Sequence, residues 1–271
     1  MMVRWLLVVL LVLGGPAAAA QRVVSLAPSL TEIVTQLGAQ DQLVGVLDAG
    51  DRPAGLERVA SVGRYGQLNI EALLSLKPDL LLLWPGSVSP GQRDQLQRLG
   101  IPIFVSEPHS LDELADQIEA IGLRLGHPVN AHGVASDVRQ RLVALRQHYR
   151  RDVPLRVFYQ VWDAPLYTLG GRQIISDALR ACGGVNVFAE LTLPAPQVSI
   201  EAVLQRDPQV ILVAEPTQVA AWARWPQVAA VREGRVWLRE AALERPSGGM
   251  IAAVERLCRQ MGAVTTTPGS R

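Results

Sequence analysis

From Arg22 onward, short apolar runs alternate with stretches in which apolar positions recur every three or four residues. The first pattern belongs to buried strands and the second to amphipathic helices, so the alternation predicts βα units on a mainly parallel sheet. Strands are expected at 23–27, 43–47, 80–84, 101–105 and 156–161. Pro28 and Ser29 lead into a helix in which Ser29 and Glu32 have capping-box spacing and Gly38 is the stop. A short helix at 69–76 meets Pro78, and another, capped by Ser110 and Glu113, runs to about 125, where Gly126 and Pro128 interrupt it. Val134, Val138, Leu142, Leu145 and Tyr149 then recur at helical spacing, which predicts one long helix ending before Pro154. Beyond the strand at 156–161, a further helix runs through 181 to a stop at Gly183-Gly184.

One internal similarity organises these elements. IEALLSLKPDLLLL, residues 70–83, aligns without gaps to IEAVLQRDPQVILV, residues 200–213. Each copy reads as a capped short helix, a proline break and a buried strand. Asn69 and Ser199 are the caps, which puts Glu71 and Glu201 in the first helical turns. The chain is therefore expected to form two similar α/β lobes with mainly parallel sheets, joined by a single long α-helix, with a ligand cleft between the lobes. The boundaries are a signal peptide at 1–20, an N-terminal lobe at 21–128, the interlobe helix at 129–151, a C-terminal lobe at 152–263 and a flexible tail at 264–271.

Composition sharpens this picture. With 271 residues, 49% hydrophobic, 19% charged and two cysteines, the chain excludes a disordered, collagenous or disulfide-dense miniprotein. The segment 1–20 carries Arg4, an apolar run too short to span a bilayer, and a run of alanines, the pattern of a cleaved secretory signal. Its removal leaves 25 basic and 25 acidic residues, and formal neutrality gives no electrostatic reason for a nucleic-acid partner. Export places Cys182 and Cys258 in an oxidising compartment, which favours a bridge over two buried thiols.

Signals for enzyme chemistry are sparse. The sequence has no G-x-S-x-G elbow, phosphate-cradling glycine loop or H-E-x-x-H, and His109, His127, His132 and His148 are scattered. No catalytic, cofactor or metal residue is assigned. The few aromatic residues are better placed: Trp84 and Trp162 follow expected strands, and Tyr65 and Tyr167 lie in nearby loops. Ligands of open α/β sheets bind outside the carboxyl ends of the strands. An aromatic cleft with few charges suits a large, flat, weakly charged ligand, although each aromatic would equally serve as lobe packing.

The segments RVVSLAPSLTE, SVGRYGQLNIEALLSLKPDLLLLW, LQRLGIPIFV, LYTLGGRQIISDALRACGGVNVF, PQVSIEAVLQRDPQVILV and LERPSGG resemble the cobalamin-binding periplasmic proteins of ABC importers. The resemblance covers residues 21–262 and extends to the wider superfamily that takes haem and ferric siderophores. It implies a periplasmic, monomeric, non-enzymatic protein that delivers cobalamin (vitamin B12) to an inner-membrane permease with its ATPase. By position it implies ligand contacts from Tyr65, Trp84, Tyr167, Glu244 and Arg245, with Ala241, Ala242 and Leu243 in the same ligand loop. It also implies a Cys182–Cys258 disulfide, and Glu71 and Glu201 as carboxylates that dock onto permease arginines; without the resemblance, both would read as helix-dipole partners.

Two departures alter the expected aromatic wall. Ala195 stands where the family has tryptophan, and Ala49 stands at a ligand position where it has tyrosine. Trp162 is the candidate to fill one gap. Haem is the competing ligand, but haem-binding relatives carry their axial tyrosine one position before Tyr65, where this chain has Arg64. Ferric siderophores fit less well, since the cleft positions supply little positive charge. An exported enzyme or metal chaperone is the remaining class, and only Glu244 and Arg245 would serve it.

Overall fold

Two segments without a polar side chain, Leu80–Leu83 and Val210–Val213, are buried at every position and lie in the interiors of two separate, mainly parallel sheets. Burial on both faces is why these strands read as continuous apolar runs instead of alternating patterns. A computed structural model of the chain describes residues 19–48 and 52–264. Ala49, nearly all of the expected signal segment and nearly all of the expected tail lie outside the described residues.

The first sheet is built from β1 (Val23–Ser25), α1 (Pro28–Gln36), β2 (Leu43–Asp48), β3 (Ala60–Arg64), β4 (Gln67–Leu68), α2 (Ile70–Ser75), β5 (Leu80–Leu83), α3 (Pro90–Arg98), β6 (Ile103–Val105) and α4 (Leu111–Leu125). Its strand order is β4-β3-β2-β1-β5-β6, and only the β3–β4 pair is antiparallel. After α5 (Pro128–His148) come β7 (Leu155–Tyr159), β8 (Trp162–Asp163), β9 (Leu166–Tyr167), α6 (Ile174–Ala181), β10 (Gly184–Asn186), α7 (Ile200–Arg206), β11 (Val210–Val213), α8 (Pro216–Trp222), α9 (Ala229–Arg232), β12 (Val236–Leu238) and α10 (Met250–Gly262). The second sheet, β10-β7-β11-β12, is wholly parallel, and β8 and β9 form a separate ribbon.

The repeated segment folds alike in both lobes. Asn69 Oδ1 accepts from the Ala72 amide at 2.9 Å, and Ser199 Oγ accepts from the Ala202 amide at 3.2 Å. Each helix leaves through a left-handed residue before its proline, Lys77 at φ 47° and Asp207 at φ 42°. These are the only non-glycine residues with positive φ among the described residues, and they occupy equivalent places in the repeat.

Two local expectations shift. The first helix starts earlier than the Ser29–Glu32 spacing suggested: Pro28 takes its first turn and Ala27 is an extended N-cap without a side-chain bond. Proline has no amide to satisfy and its ring presets helical φ, so it suits the first helical position. The strand expected to reach 161 stops at Tyr159, because the chain bends at Val161 into the β8–β9 ribbon, where the Val161 amide donates to the Tyr167 carbonyl.

Helix α5 ties the lobes together through three arginines. Arg139 reaches Glu119 at 2.8 Å and Asp116 at 2.6 Å, both on α4. Arg141 forks onto Glu255 of α10, with both bonds at 2.7 Å. Arg146 lies 2.8 Å from Asp112 of α4 and 3.4 Å from Asp177 of α6, and the Asp177 carboxylate also accepts from the Leu111 amide at 2.9 Å. Beneath these pairs one apolar core runs unbroken from β1, α1 and α4, through α5, to α6, β7 and α10. Within the second lobe, Cys182 and Cys258 form a disulfide that joins the end of α6 to α10.

Candidate functional site

The carboxyl ends of the first lobe's strands converge on one cleft. Pro28 and Ser29 follow β1, Tyr65 follows β3, Trp84 follows β5, and Ser106, Glu107 and Pro108 follow β6. The facing wall comes from Leu169, Gln173 to Ile175, Pro194 and the segment Leu243 to Pro246. The space between them is about 320 Å³, at the small end for a ligand site.

Tyr65 and Trp84 form the exposed aromatic edge of the first lobe, at 42% and 39% exposure. Their rings meet edge to face, with centroids 6.1 Å apart and planes at 89°, a favourable quadrupole arrangement. Partial burial raises the pKa of the Tyr65 phenol above its ordinary value. Arg64 points elsewhere, into a surface pocket with Asp48, Ser61 and Gly63.

On the opposite wall, residues 241–244 form a 3-10 turn that buries Leu243 and leaves Ala241 and Glu244 exposed. Glu244 and Arg245 line the cleft; Ala242 and Arg245 line an adjoining cavity with Glu32 and Arg52. The Glu244 carboxylate accepts from the Tyr159 hydroxyl at 3.0 Å and from Arg239 at 2.9 Å. Burial, reinforced by the charge of Glu244, pushes the Tyr159 phenol well above its ordinary pKa. Sequence reasoning missed this support because strand β7 was expected to run two residues further, which drew attention to Trp162. The ribbon pairs Trp162 with Tyr167 across its two strands, Trp162 is 59% exposed, and neither residue lines the cleft among the described residues.

Glu71 and Glu201 are exposed in the first turns of α2 and α7. Glu201 accepts from its own amide and from the Ser199 hydroxyl, which hold its carboxyl below the usual range.

A family model described as periplasmic binding protein matches residues 23–241, the span that contains both sheets. The chain belongs to the periplasmic binding protein family. Among curated members, the vitamin B12-binding protein of Vibrio cholerae serotype O1 is 40% identical over 243 residues, covering 88% of each chain. That of Yersinia pestis is 38% identical over 256 residues, covering 93% of this chain and 90% of its own. Among solved structures, the periplasmic vitamin B12 binding protein BtuF of Vibrio cholerae superposes with a TM-score of 0.81 at 39% identity, covering 89% of this chain and 96% of its own. The periplasmic haem-binding protein HutB of the same species shares the fold at a TM-score of 0.76 with 20% identity, covering 89% and 98%. The present periplasmic binding protein thus shares its two-lobe architecture with haem binders and a much larger part of its sequence with vitamin B12 binders.

Proposed function

We propose that this protein captures cobalamin in the periplasm and hands it to an inner-membrane ABC importer, without making or breaking bonds in its ligand. The observation that carries this reading is the identity of about 40% to vitamin B12-binding proteins over nearly the whole chain, against 20% to a haem binder. The chemistry of the cleft agrees with it. Tyr65 and Trp84 offer apolar ring faces and edges to a flat macrocycle, and Leu243, Glu244 and Arg245 offer a mixed polar wall opposite. Haem ligation by a tyrosinate at position 64 finds no support, since that position is arginine.

In the same reading, residues 1–20 direct export, the protein acts as a monomer, and Glu71 and Glu201 are the paired carboxylates that meet the permease. Trp162 and Tyr167 join the site only if the β8–β9 ribbon folds over a bound ligand. Titration of cyanocobalamin into purified protein, followed by quenching of tryptophan fluorescence, tests the proposal. Saturable binding at one ligand per chain is expected, and its absence would refute the reading.

A further inference from the structure

The two carboxylate oxygens of Glu244 stand in different circumstances. Oε1 accepts from the Tyr159 hydroxyl at 3.0 Å and from Arg239 Nε and Nη2, each at 2.9 Å. Oε2 has no hydrogen-bond partner among the described residues, and the side chain is 42% exposed at the cleft. Its supports are deeply set. Tyr159 ends β7 and is fully buried, and Arg239 follows β12 with its side chain only 7% exposed. The Arg239 guanidinium lies 5.0 Å from the Tyr159 ring centroid, and its Nη1 donates to the Gln160 carbonyl at 3.1 Å. Burial of a guanidinium and a phenol is tolerated only when both are partnered, so these groups have one arrangement and impose it on Glu244.

We propose that Tyr159 and Arg239 are positioning residues that saturate one oxygen of Glu244 and leave the other as an acceptor for a primary carboxamide of the ligand. Glu244 and its neighbour Arg245 then select a tetrapyrrole edged with carboxamides over one edged with carboxylates. A carboxamide carries both a donor for Glu244 and an acceptor for Arg245, whereas a carboxylate has only acceptors. Placed against Glu244, a carboxylate sets acceptor against acceptor and like charge against like. Arg239 does not reverse this preference, because its side chain is only 7% exposed and its nitrogens are turned to Glu244 Oε1 and the Gln160 carbonyl. The inference rests on cobalamin being the ligand and adds how the cleft would recognise its amidated edge.

Calorimetric titration with cyanocobalamin and with its separated monocarboxylate hydrolysis products, each with one carboxamide turned into a carboxylate, tests the proposal. At least one monocarboxylate should bind about tenfold more weakly than cyanocobalamin, the scale of one lost charge-assisted hydrogen bond. Tyr159→Phe should shrink that ratio to about threefold or less, and Glu244→Gln, whose amide also donates, should shrink it similarly. Arg239→Lys retains the buried charge without the fork and should act in the same direction. A wild-type ratio near one, or variants that weaken all ligands equally and keep the ratio, would overturn the positioning role while leaving cobalamin binding standing. Failure of the wild-type protein to bind cyanocobalamin at all would overturn both.

Discussion

Trp84 owes its pose to the residue two positions later. A Cβ on Gly86 would lie 2.4 Å from Trp84 Cη2 and 2.6 Å from Cζ2, so the indole lies across a backbone that only glycine leaves open. Gly86→Ala should therefore displace the ring and weaken cyanocobalamin binding by about tenfold, as expected for a lost aromatic contact, while urea unfolding changes little because Trp84 is outside the core. Trp84 was legible in the sequence because the carboxyl-end rule needs only the position of a strand, whereas Tyr65 was singled out by the family resemblance, since β3 before it was not among the expected strands. Tyr159 and Arg239 were not, because their partnership depends on the ends of β7 and β12, about 80 residues apart in the chain, meeting across the intervening β11. Nor does any local pattern in the sequence mark Gly86, whose constraint is a side chain lying over it.

Helix α4 is held to α5 by a carboxylate whose protonation has a calculable consequence. Glu119 is lowered to about 2, chiefly by its hydrogen bond from Arg139. Because the folded value lies below the unfolded one, the stabilisation is fully present above about pH 4.5 and is lost as pH falls toward about 2. The pair is about one-third exposed, so water screens it and its share is modest. Thermal melts across this range should show a shallower acid decline for Arg139→Ala than for wild type. The Cys182–Cys258 bridge closes a loop of 76 residues, and by the chain-entropy argument its removal should cost about 4 kcal/mol, read from urea unfolding with and without reductant. Most elements were readable from periodicity, and the repeat exposed the two-lobe plan because its caps, prolines and apolar runs are local signals. The β8–β9 ribbon escaped that reading, since two-residue strands are too short to show a period.

The two lobes meet at more than the α5 spine. The Gly248 amide donates to Gln36 Oε1 at 3.0 Å, and a Cβ there would lie 2.9 Å from Val134 Cγ1, so the start of α10 sits tightly against α1 and α5. With this seam, the Asp177 pin and a continuous core, ligand binding should involve little rigid-body closure. Small-angle scattering should give the same radius of gyration with and without cyanocobalamin, and a clear contraction would count against the spine as described. A molecule this stiff would present Glu71 and Glu201 at a nearly constant separation. Replacement of both by alanine should leave cyanocobalamin affinity unchanged and abolish uptake in reconstituted vesicles. The claim beneath all of this is the identity of the ligand, and competition calorimetry with cyanocobalamin and haemin tests it most directly. One tightly bound cyanocobalamin per chain that haemin does not displace is expected; tight haemin binding without cyanocobalamin binding would contradict that identity.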